Sequence, residues 1–133
     1  MIPRELVDVA QVPGGPPLRL VRHGGDFMIM LDRNELMSSR MSGSEAALGA
    51  MTCARLRDPE SARLLIGGYG MGFTLRAALK ALGPGARIIV AELVAGIIEW
   101  ARGPMAHMTQ DCLVDSRVVI RIGDVGSVIG CRR

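Results

Sequence analysis

Two periodicities divide the chain. Between Leu18 and Ser39, apolar residues come in short blocks or alternate with polar ones, and turn residues separate the blocks. Leu18-Arg19-Leu20-Val21-Arg22 reads as a strand, His23-Gly24-Gly25-Asp26 as a turn, and Phe27-Met28-Ile29-Met30-Leu31 as a second strand. Asp32-Arg33-Asn34-Glu35 turns again, and Leu36-Met37-Ser38-Ser39 offers a short third strand. Pro13-Gly14-Gly15-Pro16-Pro17 reads as loop, with an arm before it.

From Ser42 the period becomes helical. Ser42 or Ser44 can cap, and Glu45 sits in the first turn. Ala46, Ala47, Leu48, Ala50, Met51, Ala54 and Leu56 form the apolar stripe, which Asp58-Pro59 ends. A regular alternation follows. Arg63-Leu64-Leu65-Ile66 is a strand, Gly67-Gly68-Tyr69-Gly70-Met71-Gly72 a glycine loop, and Phe73 to Leu82 a helix ended by Gly83-Pro84-Gly85. Arg87-Ile88-Ile89-Val90-Ala91 is a strand closed by Glu92, and Leu93 to Arg102 is a helix stopped at Gly103-Pro104. Arg117 to Ile122 is a third strand, followed by Gly123-Asp124, and Val125 to Ile129 opens another helix. Strand and helix in alternation give a parallel sheet with right-handed crossovers. The expected fold class is α/β, a partial Rossmann-like parallel sheet of three βα units preceded by an N-terminal β-hairpin unit. The division falls at residues 1–41 and 42–133.

Composition narrows the function classes. A length of 133 residues allows one domain, and 49% hydrophobic with 22% charged residues is ordinary for a globular chain. No apolar run approaches the roughly 20 residues of a membrane span, and Met1 to Glu5 shows no signal-peptide pattern, so a cytoplasmic location is expected. The net charge of +3 comes from scattered arginines with Lys80 as the single lysine, and Phe27, Tyr69, Phe73 and Trp100 are the only aromatics. Nucleic-acid binding, which needs clustered bases and stacking platforms, is not expected. Cys53, Cys112 and Cys131 form no CxxC pair, which argues against a disulfide framework and structural zinc. His23 and His107 lack ligand-spaced partners, so no metal is expected. Cys53 on its apolar stripe reads as core rather than nucleophile, and Trp100 as packing against the sheet.

The glycine loop is the candidate chemistry. A glycine turn from strand into helix lets backbone N–H groups approach a ligand, and the helix N-terminus adds partial positive charge. A P-loop is excluded because no GK[ST] follows, and Gly68, Gly70 and Gly72 have the spacing GxGxG rather than GxGxxG. Glu92 ends the second strand of the alternation, where a carboxylate can accept both hydroxyls of a ribose. Asp124 follows the third, where it can meet an exocyclic amine of adenine. Acids at successive strand ends beside a glycine loop point to a nucleoside site.

From about Leu18 to Val125 the chain resembles the spermidine synthase-like branch of the class I S-adenosylmethionine-dependent methyltransferase fold. The carriers are the hairpin unit, the linking helix, the loop Gly67-Gly68-Tyr69-Gly70-Met71-Gly72, Glu92 and Gly123-Asp124. The resemblance implies S-adenosylmethionine or its decarboxylated form as cofactor, with Gly68, Gly70 and Gly72 in the cofactor loop. It implies Glu92 as the ribose acid, Asp124 as the adenine acid, and a transferase of aminopropyl or methyl groups. The chain departs from the family at Gly70, where spermidine synthases carry an aspartate, and at Ile66, where methyltransferases carry an acid. Gly43-Ser44-Glu45 replaces a Tyr-His-Glu substrate motif and keeps only its acid. A fourth strand with the catalytic aspartate has no counterpart, so the resemblance implies a C-terminally truncated protein whose catalytic residue is unknown. A non-enzymatic oligomeric fragment or binding protein, and a new hydrolase or lyase formed at a subunit interface, are the alternative readings. With no fourth strand, Leu64-Leu65-Ile66 is left as an open edge, which predicts a homo-oligomer, most simply a dimer.

Overall fold

The computed structural model describes residues 3–124 and residue 126. The N-terminal part is an antiparallel meander of β1 (Arg4–Val12), β2 (Gly15–His23), β3 (Asp26–Leu31) and β4 (Asn34–Ser38), lying side by side in chain order. The three strands expected here are present. The expected arm and the Pro13–Pro17 loop are not: the arm is β1, and only Pro13-Gly14 turns. Pro16 and Pro17 are tolerated inside β2 for a geometric reason. The pairing of β2 with β3 begins only at Leu18–Leu31, and the pairing with β1 is irregular between Ala10 and Val12. Neither proline therefore interrupts a regular ladder.

Side chains alternate across this sheet. Leu18, Leu20, Phe27 and Ile29 enter the main core, while Val21, Met28 and Met30 form a smaller buried cluster.

A 3-10 turn at Ser39–Met41 leads into α1 (Ser42–Ala54). The expected caps Ser42 and Ser44 do not cap. Ser38 does that for the preceding turn by accepting from the Arg40 N–H, and Ser44 Oγ donates to Met41 O. The expected apolar stripe of α1 is also misplaced. The buried positions are Gly49 and Cys53, while Leu48 and Met51 are 61% and 60% exposed. Gly49 explains the rotation, because a Cβ there would stand 2.6 Å from Thr74 O of the neighbouring helix. The two backbones meet at that glycine, and the larger side chains are turned outward.

The second half contains β5 (Arg63–Gly67), α2 (Phe73–Ala81), β6 (Arg87–Glu92), α3 (Ala95–Arg102), α4 (Ala106–Leu113) and β7 (Val118–Ile122). The three strands are parallel in the order β5-β6-β7, a partial Rossmann-like sheet as expected. Helix α4 was not foreseen. It is kinked at Thr109, whose φ is −139°, and its run Ala-His-Met-Thr-Gln-Asp-Cys-Leu has a weak apolar period. Arg117, the residue before β7, donates to Leu79 O and Leu82 O and pairs with Asp115 at 2.8 Å, satisfying the carbonyls where α2 ends. Those bonds from Arg117 hold the Asp115 carboxyl below the usual range.

One core serves both sheets. Trp100 and Ile97 of α3 and Met105 lie in the same apolar cluster as Leu20 and Ile29 of the meander and Ile88 and Val90 of β6. Helix α3 approaches β1 closely, since a Cβ on Gly96 would lie 2.5 Å from Ala10 Cβ. Cys53 is core, as expected. Among the described residues no helix is long and apolar enough to cross a membrane. The helix expected over Val125 to Ile129 lies outside the described residues, apart from Gly126.

Candidate functional site

The glycine loop leaves the C-terminal end of β5 and enters α2 with all three of its GxGxG glycines left-handed: Gly68 at φ +100°, Gly70 at +58° and Gly72 at +84°. They serve different ends. A Cβ on Gly72 would stand 2.4 Å from Thr109 Oγ1 and 2.6 Å from the Tyr69 hydroxyl, so this glycine lets the loop pack on α4. A Cβ on Gly70 would lie 3.1 Å from Met37 Sδ. A Cβ on Gly68 would meet nothing within 4 Å, so its need is conformational and the space beside it is open.

A buried network holds the loop. Thr109 Oγ1 donates to Met71 O at 2.9 Å, which leaves the Tyr69 hydroxyl to donate to Thr109 Oγ1 at 2.7 Å. Burial pushes the Tyr69 hydroxyl above its ordinary pKa. On the other side, Glu92 is only 5% exposed and bridges two elements. Its Oε1 accepts from the Tyr69 N–H at 2.8 Å and its Oε2 from the Val94 N–H at 3.1 Å. The second bond also explains why α3 begins at Ala95 rather than at Leu93.

A cavity of about 510 Å³ opens along β5 and the loop. Its walls include Met37 of β4, Glu45, Leu48 and Thr52 of α1, Leu64 to Gly70, Thr74 of α2, and Glu92. The volume is in the range of small-molecule sites, and the position, beyond the carboxyl ends of parallel strands, is where open α/β sheets bind ligands. Of the residues singled out from the sequence, Gly68, Gly70 and Glu92 line this cavity together. Gly72 supports the loop from behind. Asp124 is exposed beyond the end of β7 and is not part of the lining. Met37, Thr52, Thr74 and the supporting Thr109 were not foreseen. Only Glu45 among the α1 residues carried a signal, as the surviving acid of a three-residue motif.

The electrostatics favour one class of ligand. The lining holds two carboxylates, Glu45 and Glu92, and no lysine or arginine among the described residues. Burial raises the Glu45 pKa. The loop N–H that a phosphate would use at Tyr69 is already given to Glu92. Each carboxylate oxygen of Glu92 retains acceptor capacity for a hydroxyl donor. An anion is therefore disfavoured, and a hydroxylated neutral or cationic ligand is suited. No group of three or more His, Cys, Asp or Glu residues able to hold a metal occurs among the described residues.

Comparison of the fold with solved structures returns spermidine synthases. The protein from Thermotoga maritima superposes with a TM-score of 0.70 at 19% identity, over 93% of this chain and 42% of that one. The chain has a spermidine synthase-like fold. A spermidine synthase in complex with the transition-state analogue AdoDATO gives the same values. A probable spermidine synthase from Corynebacterium glutamicum ATCC 13032 gives a TM-score of 0.62 at 14% identity, over 93% of this chain and 47% of that one. This chain thus spans less than half the length of these structures. No family profile and no curated protein sequence matches it significantly.

Proposed function

We propose that the cavity beside the glycine loop binds an adenosyl thioether or sulfonium: S-adenosylmethionine, its decarboxylated form or methylthioadenosine. The observation that carries this reading is the pairing of an open, left-handed Gly68 with a buried Glu92 that accepts from the glycine loop at Tyr69 and from the start of α3 at Val94, and that lines the same cavity. Glu92 is the acceptor for the ribose hydroxyls, and Gly68 and Gly70 let the nucleoside lie against the backbone. A cavity with two carboxylates and no base suits a sulfonium cation and repels a nucleotide phosphate. The shared fold supports descent from a transferase of aminopropyl or methyl groups. Asp124 as the adenine acid remains part of this proposal, contacting the base from the end of β7.

Isothermal calorimetry with the three adenosyl compounds, and with ATP as a control, tests the reading. Heat from at least one adenosyl sulfur compound and none from ATP is the expected result. Binding of ATP alone, or of none of the four, would overturn it.

A further inference from the structure

We infer that Thr109 of α4, which does not line the cavity, is a positioning residue for Glu92: through Tyr69 it holds the loop N–H that orients this carboxylate for a ligand. The ligand half of the inference rests on the reading of Glu92 as the ribose acceptor. Tyr69 stands between Gly68 at φ +100° and Gly70 at φ +58°. Glycine adopts either sign of φ about equally well, so neither neighbour fixes the peptide of Tyr69. Its N–H nevertheless meets Glu92 Oε1 at 2.8 Å, and both residues are buried. Other ties must set that direction.

Two ties do. The Tyr69 carbonyl accepts from the Gly72 N–H at 2.9 Å, which closes the turn. The ring reaches α4, where its hydroxyl meets Thr109 Oγ1 at 2.7 Å. That anchor is itself fixed. Thr109 Oγ1 donates to Met71 O at 2.9 Å, and Arg76 of α2 donates to Met108 O at 3.0 Å, seating α4 on α2. Gly72 leaves the gap that the Thr109 side chain fills. In a regular helix a threonine hydroxyl can turn back to the carbonyl four residues earlier. The break in α4 at Thr109 turns it to the loop instead. Tyr69, Met71 and Thr109 are each no more than 4% exposed, so the relay is complete within the described residues. Its consequence falls on Glu92. The lone pairs that this carboxylate keeps for a ligand are aimed by the two N–H groups it already accepts from, at Tyr69 and Val94. With the Tyr69 ring untethered, a peptide between two glycines swings, Oε1 loses its donor, and the carboxylate no longer presents both oxygens to a pair of hydroxyls.

Proton–nitrogen NMR and calorimetry with methylthioadenosine, on the full chain at a temperature where each variant is folded, test this. Tyr69→Phe removes the phenol bond. Thr109→Val removes the hydroxyl but leaves the backbone Thr109 O, 3.4 Å from the phenol, as a weaker acceptor. Thr109→Ser keeps the hydroxyl. An amide bonded to a carboxylate resonates downfield. The amide of residue 69 should do so in the wild type and in Thr109→Ser, and should move upfield in Tyr69→Phe and less far in Thr109→Val. The amides of Ile88 and Val90 in β6 should stay in place. Tyr69→Phe should weaken methylthioadenosine roughly 5–30-fold, the worth of one or two hydrogen bonds, Thr109→Val should fall between, and Thr109→Ser should bind as the wild type does. An unmoved residue-69 amide in both Tyr69→Phe and Thr109→Val overturns the inference. So does wild-type affinity in both, or a loss in Thr109→Ser equal to that in Thr109→Val, which would make the role one of packing. Should no adenosyl compound bind the wild type, the reading of the cavity falls, and the residue-69 amide alone decides whether Thr109 positions Glu92. Should Tyr69→Phe fail to fold, Thr109→Val against Thr109→Ser decides.

Discussion

The indole Nε1 of Trp100 donates to Asp8 Oδ2 at 2.9 Å, joining the helix between the last two parallel strands to the first strand of the meander. Trp100 is buried, and its ring belongs to the core that both sheets share. The same carboxylate accepts the Val9 N–H at 2.8 Å. The bond from Trp100, then that from Val9, holds the Asp8 carboxyl below its ordinary range.

A depressed carboxyl pKa stabilises the folded chain wherever the group is ionised. That stability is present above the unfolded value of about 3.9 and is lost as pH falls through the lower, folded value. Asp8→Ala should therefore lower the thermal midpoint at pH 7 and shift the emission of the single tryptophan to the red. The gap between wild type and variant should narrow below about pH 4. A gap that stays constant from pH 7 to pH 2 would show that the carboxylate charge contributes nothing.

The glycines of the loop should separate on substitution. Alanine at Gly72 meets both a positive φ and two atoms of the Tyr69–Thr109 network, and should cost more than about 2 kcal/mol of stability. Alanine at Gly68 meets only the backbone strain, about 1–2 kcal/mol, but places a methyl group in the open space proposed for the nucleoside. Urea unfolding and ligand calorimetry on both variants measure the two effects. Equal stability losses would refute the division of labour.

How far the sequence reveals these features depends on the residue. The loop and Glu92 were legible because strand-to-helix turns in an alternating α/β chain fall at predictable places, and glycine has few other reasons to repeat there. The outward rotation of α1 was not, because the stripe rule weighs Leu48 and Met51 above Gly49, whereas a close helix contact selects the smallest side chain. Strand β1 was hidden by its polar alternation, and the start of β2 by prolines that are harmless only in the observed register. The role of Thr109 depends on the kink in α4, for which a single polar residue gives no local signal. Asp124 was legible as a carboxylate after the third parallel strand, and it stands exposed there, outside the lining of the cavity.

Glu92 carries the ligand prediction. Methylthioadenosine should raise the melting temperature of the wild type, as any ligand selective for the folded state must. Glu92→Ala should abolish that rise. It should also lower the starting midpoint, because the buried Tyr69 and Val94 N–H groups lose their acceptor, at about 1–3 kcal/mol each. An undiminished ligand shift in the variant would place the ribose elsewhere.

The thiols give a check on the core. Cys112 is buried, and burial followed by the charge of Asp111 pushes its pKa up to about 11. Burial also raises the pKa of Cys53. In a Cys131→Ser variant, Ellman's reagent at pH 8 should titrate neither thiol until denaturant is added. Rapid reaction of Cys112 in the native protein would mean that α4 lifts from the loop.

The bond between Asp8 and Trp100 spans 92 positions of the chain, whereas each pairing within the meander is a local hairpin. The order of synthesis then matters. At ribosomal speeds of about 5–20 residues per second, Ser38 at the end of the meander is made roughly 3–12 s before the indole of Trp100 that covers the sheet. During that interval Leu20, Phe27 and Ile29 present a sticky, half-built surface to the cell. Nascent-chain chaperones that hold apolar β-sheet faces are the natural custodians of this stage, and yield of the protein should depend on them more than its final stability suggests.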